Sequence, residues 1–190
     1  GRDVRSLIMA GSRTALIVAG CGGVIAAAVG VLFGALAALT PYRARVVLGV
    51  VLNVLLAFPT VLLAMLMASV LGGSLGVVVA AVGLGFGVNI ARILRGEFRT
   101  AQNSDYVLAA RASGLGPLRI LRDHQLPAVS PVLIVQLSWT MALAVLAEAG
   151  LSYLGYGAGP ETASWGRMLA DMQSYLAVYP LTVIWPGLAI

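Results

Sequence analysis

Long apolar runs dominate this chain. They cover residues 14–39, 46–71, 75–93 and 128–147, and a fifth begins near residue 180 and reaches Ile190. A helix needs about 20 mostly apolar residues to cross a bilayer, so each of the first four reads as a span. Each run is apolar all round rather than along one stripe, as a helix in lipid or inside a bundle must be. The ten-residue alternation of membrane barrel strands is missing. The pattern therefore predicts an all-α integral membrane helical bundle, a single transmembrane domain over 1–190.

The composition agrees. Apolar residues make up 60% of the chain and charged residues only 10%, against about 25% charged in a soluble domain. Such a chain lacks both the charge to cover a soluble surface and the polarity of a disordered one. It starts at Gly1, not Met, and ends inside an apolar run, so a longer parent chain is expected. The opening GRDVRSL does not resemble a signal peptide.

Net charge is +5, and all 12 basic residues are arginine. The arginines lie between the apolar runs rather than on one soluble face, which favours membrane topology over nucleic acid as their explanation. If consecutive spans alternate direction, residues 40–45 and 92–127 share a side. That side holds Arg43, Arg45, Arg92, Arg95, Arg99, Arg111, Arg119 and Arg122. The other side holds Arg2, Arg5, Arg13 and Arg167. Eight against four places the first side in the cytoplasm.

Chemistry inside the chain is sparse. Without lysine there is no P-loop, whose lysine reaches the phosphates. His124 is the only histidine and Cys21 the only cysteine, so a zinc HExxH site and an internal disulfide are both excluded. Cys21 reads as a small core residue. Gly83-Leu84-Gly85-Phe86-Gly87 lies within a span and reads as close helix packing. Asn53, Asn89 and Gln136 are candidate pore-lining residues, with hydrogen bonding between helices as the alternative. Glu148, at the outer end of the fourth span, is a pore-lining or boundary candidate. Pro59 is expected to kink the second span.

Residues 104–127 form an elbow. Ser104 and Asp105 resemble an N-cap, Gly114 a helix stop, and Gly116-Pro117 a turn with restart. Within it, Leu108-Ala109-Ala110 is followed by three residues, Gly114, nine residues, His124, one residue and Leu126-Pro127. This spacing resembles the EAA–Gly–Ile–Leu-Pro signature of permease subunits of bacterial ABC importers. Leu108 stands at the usual glutamate and His124 at the usual isoleucine; His is common there in the dipeptide/oligopeptide/nickel branch. Gly1-Arg2-Asp3-Val4 and Leu151-Ser152-Tyr153-Leu154-Gly155 with Ser164-Trp165-Gly166 and Met168-Leu169 resemble two further segments of that branch, and of its C-type subunit in particular.

The resemblance implies a type I ABC-importer transmembrane domain whose first family helix is absent from this sequence. It implies a multi-pass bacterial inner-membrane location, a second permease subunit as heterodimer partner, and two cytoplasmic ATPase subunits. It also implies an extracytoplasmic substrate-binding protein. No cofactor is expected on this chain; ATP and Mg would sit on the ATPases, and no enzyme activity is expected here. Tyr106, Leu108, Ala109, Ala110, Gly114, His124, Leu126 and Pro127 become candidates for ATPase coupling. The loop 148–179 carries an amphipathic segment from Ser164 in which Trp165 and Met168 are candidate contacts for the binding protein, alongside interfacial anchoring. The solute implied is a peptide; nickel or another small solute is the alternative within the family. An ATP-independent carrier and a structural scaffold are the readings from other classes.

Overall fold

The computed structural model describes residues 4–159, 161–176 and 181–190, and these are helical or in turns. The helices are α1 (Val4–Leu39), α2 (Tyr42–Leu56), α3 (Thr60–Leu71), α4 (Leu75–Gln102), α5 (Asp105–Ala112), α6 (Pro117–Ile120), α7 (Leu126–Tyr153), α8 (Trp165–Met172) and α9 (Leu181–Ala189). Among the described residues, three helical stretches are long and apolar enough to cross a membrane, Val4–Leu39, Leu75–Gln102 and Pro117–Tyr153, and the bent pair Tyr42–Leu56 and Thr60–Leu71 makes a fourth if it is one broken span.

The ends differ from the expected spans for physical reasons. Helix α1 begins ten residues before the apolar run at Thr14. Its 36 residues extend about 54 Å, well beyond a hydrocarbon core of about 30 Å. Apolar runs mark what lipid tolerates, not where a helix starts. The expected second span is broken: α2 and α3 meet at 76°. Pro59 has no N–H, and proline also pushes Phe58 out of helical geometry, so the first helix ends and a second begins at Thr60. The fourth span runs on to Tyr153, which puts Glu148 inside the helix rather than at its end.

The core lies where α1, α4 and α7 meet. One cluster joins Val18, Val78, Val82, Ala144 and Leu151. A second, nearer the arginine-rich side, joins Ala26, Ile90, Leu94, Phe98 and Val129. Lipid is as apolar as leucine, so helix association in a membrane rests on close packing more than on burial itself. The seam between α1 and α4 is built for that. A Cβ placed on Gly83 would lie 2.7 Å from Ile25 Cβ, and one on Gly87 2.7 Å from Val29 Cβ. The glycine-dense stretch is thus a packing surface. Cys21, expected in the core, is exposed on α1. The outer faces of α2 and α3 also carry exposed apolar residues, among them Val47, Val50, Leu62 and Val70.

Candidate functional site

The elbow between α4 and α7 starts at Asp105 because the chain leaves α4 through Asn103 and Ser104. Ser104 occupies the N-cap position, but its hydroxyl does not cap α5; it donates back to the Ala101 carbonyl at 2.6 Å. Helix α5 ends at Gly114, whose φ of +81° is left-handed. The Leu115 N–H bonds the Ala110 carbonyl at 3.2 Å and the Gly114 N–H bonds the Arg111 carbonyl at 3.0 Å. That pair is a Schellman stop, which favours glycine because a side chain is strained there. Leu115 then packs back on Val107, Ala110 and Ile120, the elbow's own small core.

This core decides which candidates face outward. Val107 and Ala110 are buried, so the opposite face of α5 presents Asp105, Leu108, Ala109 and Ala112. Leu108 is half exposed. Ala110, expected as a docking contact, is instead turned into the elbow core. Tyr106 lies on the flank, with its ring centroid 6.4 Å from that of His124. His124 and Leu126 are half-buried and Pro127 is exposed.

The second arm does not separate from the span beyond it. Residues 121–125 form a π-helical turn that runs straight into α7, and the Leu126 N–H bonds the Leu121 carbonyl. The proline ring of Pro127 would crowd the Asp123 carbonyl in a regular helix, and the wider turn relieves this. The second arm of the elbow is therefore one end of the stretch Pro117–Tyr153. On its exposed surface, Arg122 Nε donates to Asp123 Oδ1 at 2.7 Å, and Arg119 Nε lies 3.6 Å from Asp123 Oδ2.

Sequence reasoning missed Gln102 and Gln125. Gln102 Nε2 donates to the Ala38 carbonyl, tying the end of α4 to α1 at 2.5 Å. Gln125 is buried, and both glutamines line a cavity of about 230 Å³ behind the elbow with Arg111, Leu115 and Ile120. Gln125 occupies the unspecified position between His124 and Leu126, and nothing in the spacing marked it.

The remaining candidates do not converge. Asn53 and Asn89 are both exposed but line different cavities, Asn53 one among arginines and Asn89 an apolar one beside Pro59. Gln136 is half-buried on α7. Glu148 is 2% exposed and accepts a hydrogen bond from Ser152 Oγ at 2.6 Å. It is a core residue rather than a boundary anchor. At the far end, Trp165 Nε1 donates to the Ile8 carbonyl at 3.0 Å, and Thr14 Oγ1 donates to the Ala163 carbonyl at 2.7 Å. Met168 is 4% exposed. The apolar face of α8 thus turns into the bundle, and Met168 is not open to a partner.

Among the described residues, no group of three or more His, Cys, Asp or Glu side chains is arranged to hold a metal ion.

The sequence profile of the binding-protein-dependent transport system inner membrane component matches residues 30–190. The chain is 35% identical over 195 residues to the nickel transport system permease protein NikC of Escherichia coli K12, covering all of this chain and 69% of that protein. It is 35% identical over 190 residues to the di/tripeptide transport system permease protein DppC of Pseudomonas aeruginosa UCBPP-PA14, covering all of this chain and 63% of that one. A putative peptide transport system permease of Brucella suis is 36% identical over 190 residues, with all of this chain and 64% of that protein covered. Among solved structures, an inward-facing form of the MetNI methionine ABC transporter superposes with a TM-score of 0.74. It covers 96% of this chain and 91% of that one at 20% identity. That likeness concerns the fold.

Proposed function

The chain belongs to the family of binding-protein-dependent transport system inner membrane components, and from that premise we propose that it forms half of the pore of an ATP-driven peptide importer. It is a transport subunit, and ATP is hydrolysed on partner subunits. The chain spans roughly two-thirds of the length of its curated relatives, so the solute and the partners belong to this proposal. The partners are a second permease subunit, two ATPases with their ATP and Mg, and an extracytoplasmic binding protein. The setting is a bacterial inner membrane crossed several times.

The observation that carries the coupling role is the elbow. Its outward face carries Asp105 and then a small apolar patch, Leu108, Ala109 and Ala112, and its far arm is continuous with α7. A rigid short helix joined to a spanning helix passes on a displacement that a floppy loop would absorb. Coupling further requires contacts that differ between two states of the ATPases. Tyr106 lies beside His124 on the flank, Leu126 and Pro127 open α7 at the far arm, and Gly114 sets the angle of the elbow.

Co-purification of the full-length permease with two ATPases, and ATP-dependent uptake of a labelled dipeptide, test the reading. Uptake without any ATPase counts for a carrier instead, and unchanged transport after deletion counts for a scaffold. The 35% identity to a nickel permease favours one second reading, nickel uptake, which radiolabelled nickel decides in the same vesicles.

A further inference from the structure

We propose that the arginine cavity between α2 and α4 is a binding site for an anionic phospholipid, holding the headgroup phosphate. The proposal rests on the membrane location of the chain. The cavity measures about 390 Å³ and is lined by Arg45, Asn53, Arg92, Arg95, Arg99 and Gln102 with two alanines at the end of α1. That size is within the ~300–1,000 Å³ of small-ligand sites.

Four arginines line the cavity and no carboxylate residue does. Arg92, Arg95 and Arg99 make no ion pair or hydrogen bond among the described residues. Arg45 spends Nη2 on the Thr40 carbonyl at 3.2 Å, while its Nε is buried with no partner, as is Thr40 Oγ1. A buried charged donor without an acceptor is costly. Like charges gathered around one cavity also repel one another. A phosphate offers the cluster the acceptors it lacks, and guanidinium binds phosphate in paired hydrogen bonds. The backbone makes room for the arrangement: any Cβ on Gly49 of α2 would collide with the Arg95 guanidinium.

Two features favour a lipid over free phosphate. The cavity opens on the arginine-rich side, cytoplasmic by the positive-inside count, where anionic headgroups gather and basic pockets between spanning helices take them. Further along α4, toward the break between α2 and α3, lies an apolar cavity of about 590 Å³, lined by Phe33 of α1, Leu56 of α2, Leu63 and Met67 of α3 and Val88 of α4 among others. Exposed Val46, Val50 and Val54 continue the apolar surface along α2. A headgroup in the first cavity leaves apolar surface beside it for the acyl chains.

The test titrates the detergent-purified full-length permease, in complex with its partners, with dioleoylphosphatidylglycerol and with dioleoylphosphatidylcholine, counting bound lipid by native mass spectrometry. Wild type is expected to retain phosphatidylglycerol preferentially. Exposed Arg99→Gln should weaken it about fivefold, and Arg45→Gln/Arg95→Gln/Arg99→Gln on the order of a hundredfold. A control of equal charge, Arg13→Gln/Arg119→Gln/Arg122→Gln, should keep the preference. Equal loss in the control, or full retention in both cavity variants, overturns the site. Displacement of lipid by millimolar inorganic phosphate or by a dipeptide overturns the lipid assignment. Arg99→Gln guards against misfolding of the triple variant. The readout involves no solute transport and is repeated on the full-length permease without partners, so it fails or succeeds independently of the importer reading.

Discussion

Ser152 Oγ donates to Glu148 Oε1 at 2.6 Å, one helical turn apart on α7 and both buried. The carboxylate has no arginine beside it among the described salt bridges, so this hydroxyl is a substantial part of what satisfies it. Removing the hydroxyl while keeping the acid strands a buried oxygen. Ser152→Ala is expected to cost about 1–2 kcal/mol, read as a lowered melting temperature in detergent. Adding Glu148→Leu to Ser152→Ala should recover part of that loss, because the stranded oxygen is then gone. A double variant less stable than Ser152→Ala would show that the carboxylate is held by other means.

Gly114 is needed for its backbone, not for space. A Cβ there meets nothing within 4 Å, yet φ is +81°. Gly114→Ala should therefore cost about 1 kcal/mol or more through the left-handed backbone, and Gly114→Asn less. If the elbow angle carries coupling, substrate-stimulated ATPase activity and uptake should fall in the order glycine, asparagine, alanine, tryptophan. Normal uptake and stimulated ATPase in Gly114→Trp would remove Gly114 from the coupling machinery.

In the helix seam, Gly87→Val should destabilise by roughly 1–3 kcal/mol, since its Cβ would sit 2.7 Å from Val29 Cβ. Val29→Gly, which removes the Cβ that alanine would keep, should rescue part of it in the double variant, as neighbours in contact do not add independently. Thermal melts of the two single variants and the double variant complete the cycle. No rescue would place the strain against Ala26 Cα, 3.2 Å away, and not against Val29.

Much of this architecture was legible along the chain, and the failures have common causes. The apolar runs located α1, α4 and α7, because lipid imposes composition. They did not locate the first turns of α1, where arginine and serine share one helix with the apolar run. Pro59 marked a bend, yet a missing hydrogen bond does not state an angle, and 76° came only with the fold. The elbow's glycine stop was readable because its φ demands a residue type. Ala109 and Ala110 were not separable, since Ile120 and Leu115, later in the chain, decide which one is inside. Trp165 and Met168 showed the right amphipathic pattern and the wrong side. In a membrane protein the apolar face of a short surface helix fits lipid and bundle equally, and contacts with Ile8 and Thr14 settle it. The cavity arginines read along the chain as topology alone, because nothing in their spacing brings Arg45 beside Arg95.

The clamp on α8 has its own signature. Trp165→Phe keeps an aromatic ring and deletes the bond to the Ile8 carbonyl, a loss of about 1 kcal/mol. Amide exchange over residues 161–173 should then quicken while α4 is unchanged. Equal protection in both proteins would mean that Thr14 alone holds the segment.

Leu108 stands where the permease signature carries an acid. The face that α5 presents is Asp105 at its first turn followed by the apolar patch Leu108, Ala109 and Ala112, and Leu108 is half exposed. A leucine left in water on a docking helix gains by being covered, and a fully buried one contributes about 1.5–3 kcal/mol. Leu108→Ser should then weaken ATPase association about tenfold or more, measured by retention of the ATPases on the immobilised permease. Leu108→Glu separates two kinds of groove. Against an apolar groove the carboxylate must shed water without a partner, so binding drops further than for serine. Against a basic groove of the kind the signature glutamate would meet, it gains a charged hydrogen bond and binding recovers. The apolar face predicts the first result. Tighter binding by Leu108→Glu would mean that the groove is the family's usual one and that this subunit docks with a residue poorly matched to it.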